Sequence, residues 1–132
     1  MPDFFYICPM CQQKNTKAII IDDDSLGCIL LKSQLSKMAI FADVASDSDS
    51  AMRILHQNPD INMAFVDYHL PGITGDKLIK QLLEQRPELK YVIVSGIKPD
   101  ECDTFDIEID PKCFITKPVT PYKLKKAISV FE

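Results

Sequence analysis

The chain predicts an α/β fold, a doubly wound parallel sheet of five strands with helices on both faces. Three observations carry this. Short, almost wholly apolar runs recur at 18–21, 63–66, 91–94 and 113–115, as expected of strands buried on both faces. Stretches of helical period separate them. Capping and turn residues stand at the junctions, and strands alternating with helices in this way build a parallel sheet with right-handed crossovers.

The elements follow in order. The first strand, 18–21, ends in Asp22-Asp23-Asp24-Ser25, and any of Asp23 to Ser25 can cap the next helix. That helix is expected to turn Leu26, Ile29, Leu30, Leu35 and Met38 inward. Residues 40–45 read as a second strand. Residues 46–50 offer caps for a helix through Met52, Ile54 and Leu55, stopped near Asn58-Pro59. The third strand, 63–66, carries Asp67 at its end. Pro71-Gly72 marks a loop, and 75–85 a helix with Leu78, Ile79, Leu82 and Leu83 inward. The fourth strand, 91–94, ends at Ser95-Gly96, and the fifth, 113–115, at Thr116-Lys117-Pro118. Pro121 opens a last helix to Val130. Between Lys98 and Lys112, Pro99, Pro111 and several acids interrupt any stripe, so a helix there should be short or irregular.

The bulk properties narrow the function classes. The 132 residues suit one domain and are 46% apolar, enough for a sizeable core. The formal charge is 15 − 19 = −4, which disfavours direct binding to nucleic acid. No apolar run reaches the ~18 residues of a membrane span, and residues 1–16 do not read as a signal peptide. A cytoplasmic location is expected. Residues 1–16 form an N-terminal arm ahead of a domain over 17–132. The arm holds Phe4, Phe5, Tyr6 and the pair Cys8-Pro-Met-Cys11. That pair has the spacing of half a zinc site or of a redox pair; zinc takes four ligands, which two arms in a dimer could complete, and two free thiols are the plainer reading. Cys28 and Cys113 fall in apolar patterns and are expected in the core.

Chemistry-bearing residues stand where apolar strands end: Asp22 and Asp23, Asp67, Ser95, and Lys117. In a doubly wound sheet these ends share one crevice. Three carboxylates brought together need a cation or a proton. Mg²⁺ fits, being held by one or two carboxylates with waters and phosphate oxygens. A carboxylate such as Asp67 can attack phosphorus, with Lys117 and Ser95 supplying charge and a hydrogen bond to the transferring oxygens. Each residue alone has a plainer role: Asp22 to Asp24 as helix caps, Ser95 in a turn, Lys117 on the surface. Their recurrence at successive strand ends favours a site. Lys123, Lys125 and Lys126 read as a solvated helix face.

Four stretches in order, Ile19-Ile-Ile-Asp-Asp-Asp24, Phe65-Val-Asp-Tyr-His-Leu-Pro-Gly72, Val92-Ile-Val-Ser-Gly96 and Phe114-Ile-Thr-Lys-Pro118, make the chain resemble the receiver domains of bacterial response regulators, over 17–132. The resemblance implies a flavodoxin-like sheet of order 2-1-3-4-5. It implies Asp67 as phosphoacceptor, and Mg²⁺ held by Asp23, by Asp22 through water, by Asp67 and by the backbone carbonyl of His69. It implies Ser95 and Lys117 at the phosphate, a cis proline at Pro118, and Phe114 as an aromatic switch, with simple core packing the equal alternative for Phe114. Implied partners are a sensor histidine kinase or phosphotransfer protein and an unknown output protein, with a dimer possible. Catalysis would be confined to the chain's own phosphotransfer and dephosphorylation, which His69 and Ile97 would tune. A chain of this length leaves no room for a helix-turn-helix module.

Two other readings compete. A haloacid-dehalogenase-like phosphatase also uses a strand-end Asp, with a second two places on, as in Asp22-Asp23-Asp24; here no later acidic pair completes its metal site, and Asp67 goes unexplained. An interaction module that keeps only the fold would not need all five site residues.

Overall fold

A computed structural model describes residues 16–98 and 110–131. The arm with Cys8 and Cys11, and most of the 98–112 stretch expected to be weakly helical, lie outside the described residues.

Five parallel strands form the sheet: β1 (Lys17–Ile21), β2 (Phe41–Ala45), β3 (Met63–Asp67), β6 (Lys90–Ser95) and β7 (Phe114–Thr116). Their order is β2-β1-β3-β6-β7, which is 2-1-3-4-5 counted within the sheet, as expected. Two short strands, β4 (His69–Leu70) and β5 (Ile73–Thr74), form a separate antiparallel pair around Pro71-Gly72. Gly72 has φ +78°, the conformation that the third residue of a type II turn demands and that glycine tolerates. The helices are α1 (Ser25–Ser36), α2 (Ser48–Gln57), α3 (Gly75–Gln85) and α4 (Pro121–Ser129), with a 3₁₀ turn at Pro111–Cys113.

The caps explain several boundaries. The Asp47 carboxylate accepts from the Ser50 amide at 2.8 Å and starts α2. The Thr120 hydroxyl accepts from the Lys123 amide at 3.2 Å, and Pro121 occupies the first turn of α4. Both satisfy amides that have no partner within the helix. At the end of α1 the chain reverses through Ala39, whose φ is 62°, a place usually taken by glycine.

Strand alternation divides the core in two. Ala18, Ile20, Phe65, Val92 and Ile115 pack beneath Leu31, Leu35 and Leu124 of α1 and α4. Ile19, Ile21, Val66 and Ile93 pack beneath Leu55, Leu78 and Leu82 of α2 and α3. Cys28 and Cys113 are buried free thiols, as their settings predict. Arg86, just past α3, donates to the carbonyls of Ile61, Leu55 and Asn58 and ties the end of α2 to the approach to β3.

The inward face of α1 differs from expectation. Cys28, Leu31 and Leu35 are buried, whereas Leu26, Ile29 and Leu30 are 64%, 63% and 56% exposed. The helix is apolar around most of its circumference, so period alone does not select a face. The buried set, at i, i+3 and i+7, fits the helical repeat equally well. Here the Cys28 thiol sits 3.4 Å from the Asp22 carbonyl, which turns that edge toward the sheet.

Candidate functional site

The parallel register brings the acidic residues together. Ile21 pairs with Val66, so the next residues, Asp22 and Asp67, leave neighbouring strands side by side. Asp22 is in phase with Ile20, and Asp67 with Phe65. Both therefore project on the side covered by α1 and α4. Thr116 pairs with Ser95, and Lys117 follows in phase with Ile115, on that same side. The Lys117 amide donates to the Ser95 carbonyl at 2.7 Å, and the Lys117–Pro118 peptide is cis.

Asp22, Asp23 and Asp67 each offer a carboxylate oxygen within 4.8 Å of the others. Asp22 and Asp67 are buried and Asp23 is exposed. Asp22 is held by its neighbours: its Oδ1 accepts from the Asp24 amide at 3.0 Å and its Oδ2 from the Lys117 ammonium at 3.2 Å. Lys117 Nζ also lies 3.7 Å from Oδ1 of Asp67. Burial, then the Asp22 carboxylate, push the Asp67 carboxyl up to about 6, against the pull of Lys117 and of a hydrogen bond from the His69 amide. Burial draws the Lys117 ammonium down, but Asp67 and Asp22 more than offset this and raise it. One ammonium thus faces two buried carboxylates, with a third at the rim. Oxygen donors of this kind and number suit a hard divalent cation such as Mg²⁺.

The remaining residues present no side-chain oxygen to this group of three, although the His69 amide donates to Asp67. Ser95 is fully buried, in phase with Ile93 rather than with the carboxylates, and its hydroxyl accepts from the Ile97 amide at 3.1 Å. Phe114 is half-buried and packs against the core under α2 and α3. His69 is exposed on β4, its ring edge-on to Tyr68 at 4.9 Å.

Gly75 was missed as a site residue. A Cβ there would lie 2.6 Å from the Asp67 carbonyl oxygen and 2.9 Å from Cα of Tyr68. The Gly75 amide donates to the Tyr68 carbonyl at 2.8 Å. Only glycine lets α3 approach the backbone that carries Asp67. The one signal for it in sequence is its place eight residues after Asp67, opening a helix.

A parallel sheet of this order with carboxylates and a lysine at its strand ends defines a class of signalling domain. The chain belongs to the response regulator receiver domain family, which matches residues 18–129. Among curated relatives it is 24% identical over 120 residues to the two-component response regulator ARR14 of Arabidopsis thaliana, covering 83% of this chain and 29% of that one. It is 26% identical over 121 residues to ORR6 of Oryza sativa subsp. japonica, covering 89% and 71%. Among solved structures, a CheY-like receiver domain from Methylobacillus flagellatus aligns with TM-score 0.70 and 25% identity over 89% of this chain and 98% of that one. CheY in its CheX–BeF₃–Mg complex from Borrelia burgdorferi aligns with TM-score 0.74 at 20% identity, over 89% and 90%, a likeness of fold. Among the described residues no helix is long and apolar enough to cross a membrane.

Proposed function

We propose that this receiver domain takes a phosphoryl group on Asp67 from the phosphohistidine of a sensor kinase or phosphotransfer protein, and that the modified domain presents an altered surface to an output protein. The observation that carries the reading is the grouping of Asp22, Asp23 and Asp67 around one point, with the Lys117 ammonium against two of them.

Each side chain has a task. An oxygen of Asp67 attacks phosphorus, the P–N bond of the donor breaks, and the imidazole leaves with the electron pair. For attack Asp67 must be ionised, and Lys117 favours that form. Asp22 fixes the Lys117 ammonium, so it stands ready for the oxygens of the arriving phosphoryl group. Asp23, Asp22, Asp67 and the His69 carbonyl would hold Mg²⁺, which when bound offsets the negative charge of carboxylates and phosphoryl oxygens. Ser95 would give up its bond from the Ile97 amide to reach the phosphoryl group, and Phe114 would follow into the space released. The cost of these moves is met only by what the phosphoryl group gains from them. The chain's catalysis is limited to its own phosphorylation and dephosphorylation, and its place of action is the cytoplasm. The domain that does this occupies residues 17–132 of the sequence.

Incubation with acetyl phosphate and Mg²⁺, followed by intact mass measurement, tests this. The native chain should gain one phosphoryl group and Asp67→Asn none. No gain in the native chain contradicts the reading. So does steady turnover of a phosphomonoester that Asp22→Asn abolishes and Asp67→Asn spares.

A further inference from the structure

Lys123 runs against the preference of its own helix. It stands three residues after Thr120, whose hydroxyl accepts from the Lys123 amide at 3.2 Å at the start of α4. A helix opened by threonine favours Glu or Gln at that third position, where the side chain reaches back to the capping residue. The positive end of the helix dipole lies there too and disfavours a cation. Such departures gather where a function or a tertiary contact requires them.

The contacts of Lys123 are tertiary. Its ammonium donates to the Thr116 carbonyl at 2.9 Å and to the Pro118 carbonyl at 3.3 Å. These are the two residues that flank Lys117. The side chain is half-buried along the groove between β7 and α4, not on the solvated face that its sequence setting predicts. Strand geometry explains why Thr116 needs this partner. The Lys117 amide bonds inward to Ser95, so Thr116, one residue earlier, turns its carbonyl away from β6. β7 ends the sheet, and among the described residues no strand lies beyond it to supply a donor. Lys123 supplies one, and a bond from a charged donor is stronger than a neutral one.

The backbone at Lys117 is thus held from two sides, by the Ser95 carbonyl at 2.7 Å and by Lys123. A lysine stem is flexible. Where its backbone stands therefore decides whether the Lys117 ammonium meets Asp22 at 3.2 Å and Asp67 at 3.7 Å. Misplacing a reacting group by about 1 Å can cost on the order of 10²-fold in rate.

We propose that Lys123 is a positioning residue for Lys117: by holding the carbonyls on either side, its ammonium sets where the Lys117 ammonium stands before the carboxylates. The consequence for rate rests on the phosphorylation proposed above; the placement of Lys117 does not.

Three variants of the full chain test this. Lys123→Met keeps the stem and removes the donors, Lys123→Arg keeps donors, and Lys125→Met removes the same charge from an exposed position of α4. Without metal or phosphate, the ¹H and ¹³C shifts of the Lys117 Cε methylene report its placement. They should move in Lys123→Met, return toward native in Lys123→Arg and stay put in Lys125→Met. With acetyl phosphate and saturating Mg²⁺, phosphorylation followed by intact mass should slow roughly tenfold in Lys123→Met and recover in Lys123→Arg. In a Lys117→Met background, Lys123→Met should change the rate by less than about twofold, because its effect passes through Lys117. Lys123→Leu replaces Lys123→Met if the latter does not fold. An unmoved Lys117 methylene in Lys123→Met overturns the proposal. So does a second loss of the same size in the Lys117→Met background, which a general weakening of the fold would give, or a Lys123→Arg chain no better than Lys123→Met. A native chain that gains no phosphoryl group defeats the function proposed above, and the Lys117 shifts alone then decide the role of Lys123.

Discussion

The ammonium of Lys117 lies 3.2 Å from Oδ2 of Asp22, a contact between residues 95 positions apart. It joins the fifth strand of the sheet to the first and leaves Asp67 3.7 Å from the same charge. Removing the cation while keeping the aliphatic stem, as in Lys117→Met, should leave two buried carboxylates facing one another. We expect Asp67 to hold its proton to still higher pH and phosphorylation by acetyl phosphate at pH 7 to fall at least about tenfold, the factor for one unit of pKa. Rates from intact mass time courses check this; an unchanged rate would show that Lys117 takes no part.

The raised Asp67 carboxyl predicts a dependence of stability on pH in the absence of metal. Its folded value, about 6, lies above the unfolded value, about 4. The folded state therefore holds the proton more tightly. Ionisation costs stability, by nothing below about pH 4, by a growing amount up to about pH 6, and by a constant amount above. Asp67→Asn, which carries no charge, should be more stable than the native chain above pH 6, with the gap closing below pH 4. Urea unfolding in EDTA across this range measures it, and a gap independent of pH contradicts it.

Metal should act through Asp23 rather than Asp24. Asp23 shares the group of three carboxylates, whereas Asp24 begins α1 and is not in that group. Asp23→Asn should weaken Mg²⁺ binding by roughly tenfold or more, and Asp24→Asn by much less. The rise in melting temperature with added Mg²⁺ reports both. Equal effects would place the ion elsewhere.

Gly75 and Gly96 should respond differently to the same change. A methyl at Gly75 meets the Asp67 carbonyl at 2.6 Å, while one at Gly96 has nothing within 4 Å. Gly75→Ala should cost about 2–3 kcal/mol by crowding, and Gly96→Ala under about 1 kcal/mol. Equilibrium unfolding separates them.

Much of this fold was legible because its strands are apolar, its helices keep their period, and α2 and α4 begin at capping or proline signals. The helix over 75–85 stands where its period puts it, and the last helix starts where Pro121 puts it. The site was legible for the same reason: Asp22, Asp67 and Lys117 each end an apolar run, and parallel register does the rest. What escaped was set by tertiary contact. The orientation of α1 depends on which of two apolar faces meets the sheet. The roles of Gly75 and Arg86 depend on backbone from distant segments. Ala39 does not announce its positive φ, since alanine is an ordinary helix former.

Ala39 offers a stabilising change. At φ 62° its side chain is strained, and glycine is not. Ala39→Gly should raise unfolding free energy by about 1 kcal/mol, read from the urea midpoint at unchanged slope; a loss of stability would contradict the strained turn.

The central claim is that phosphorus goes to Asp67 and to no other carboxylate of the cluster. Reductive trapping of the acyl phosphate with borohydride after treatment with acetyl phosphate and Mg²⁺, followed by peptide mass spectrometry, locates it directly. The account predicts the reduced product, homoserine, at position 67 alone. Its appearance at Asp22 or Asp23, or at none of the three, would contradict it.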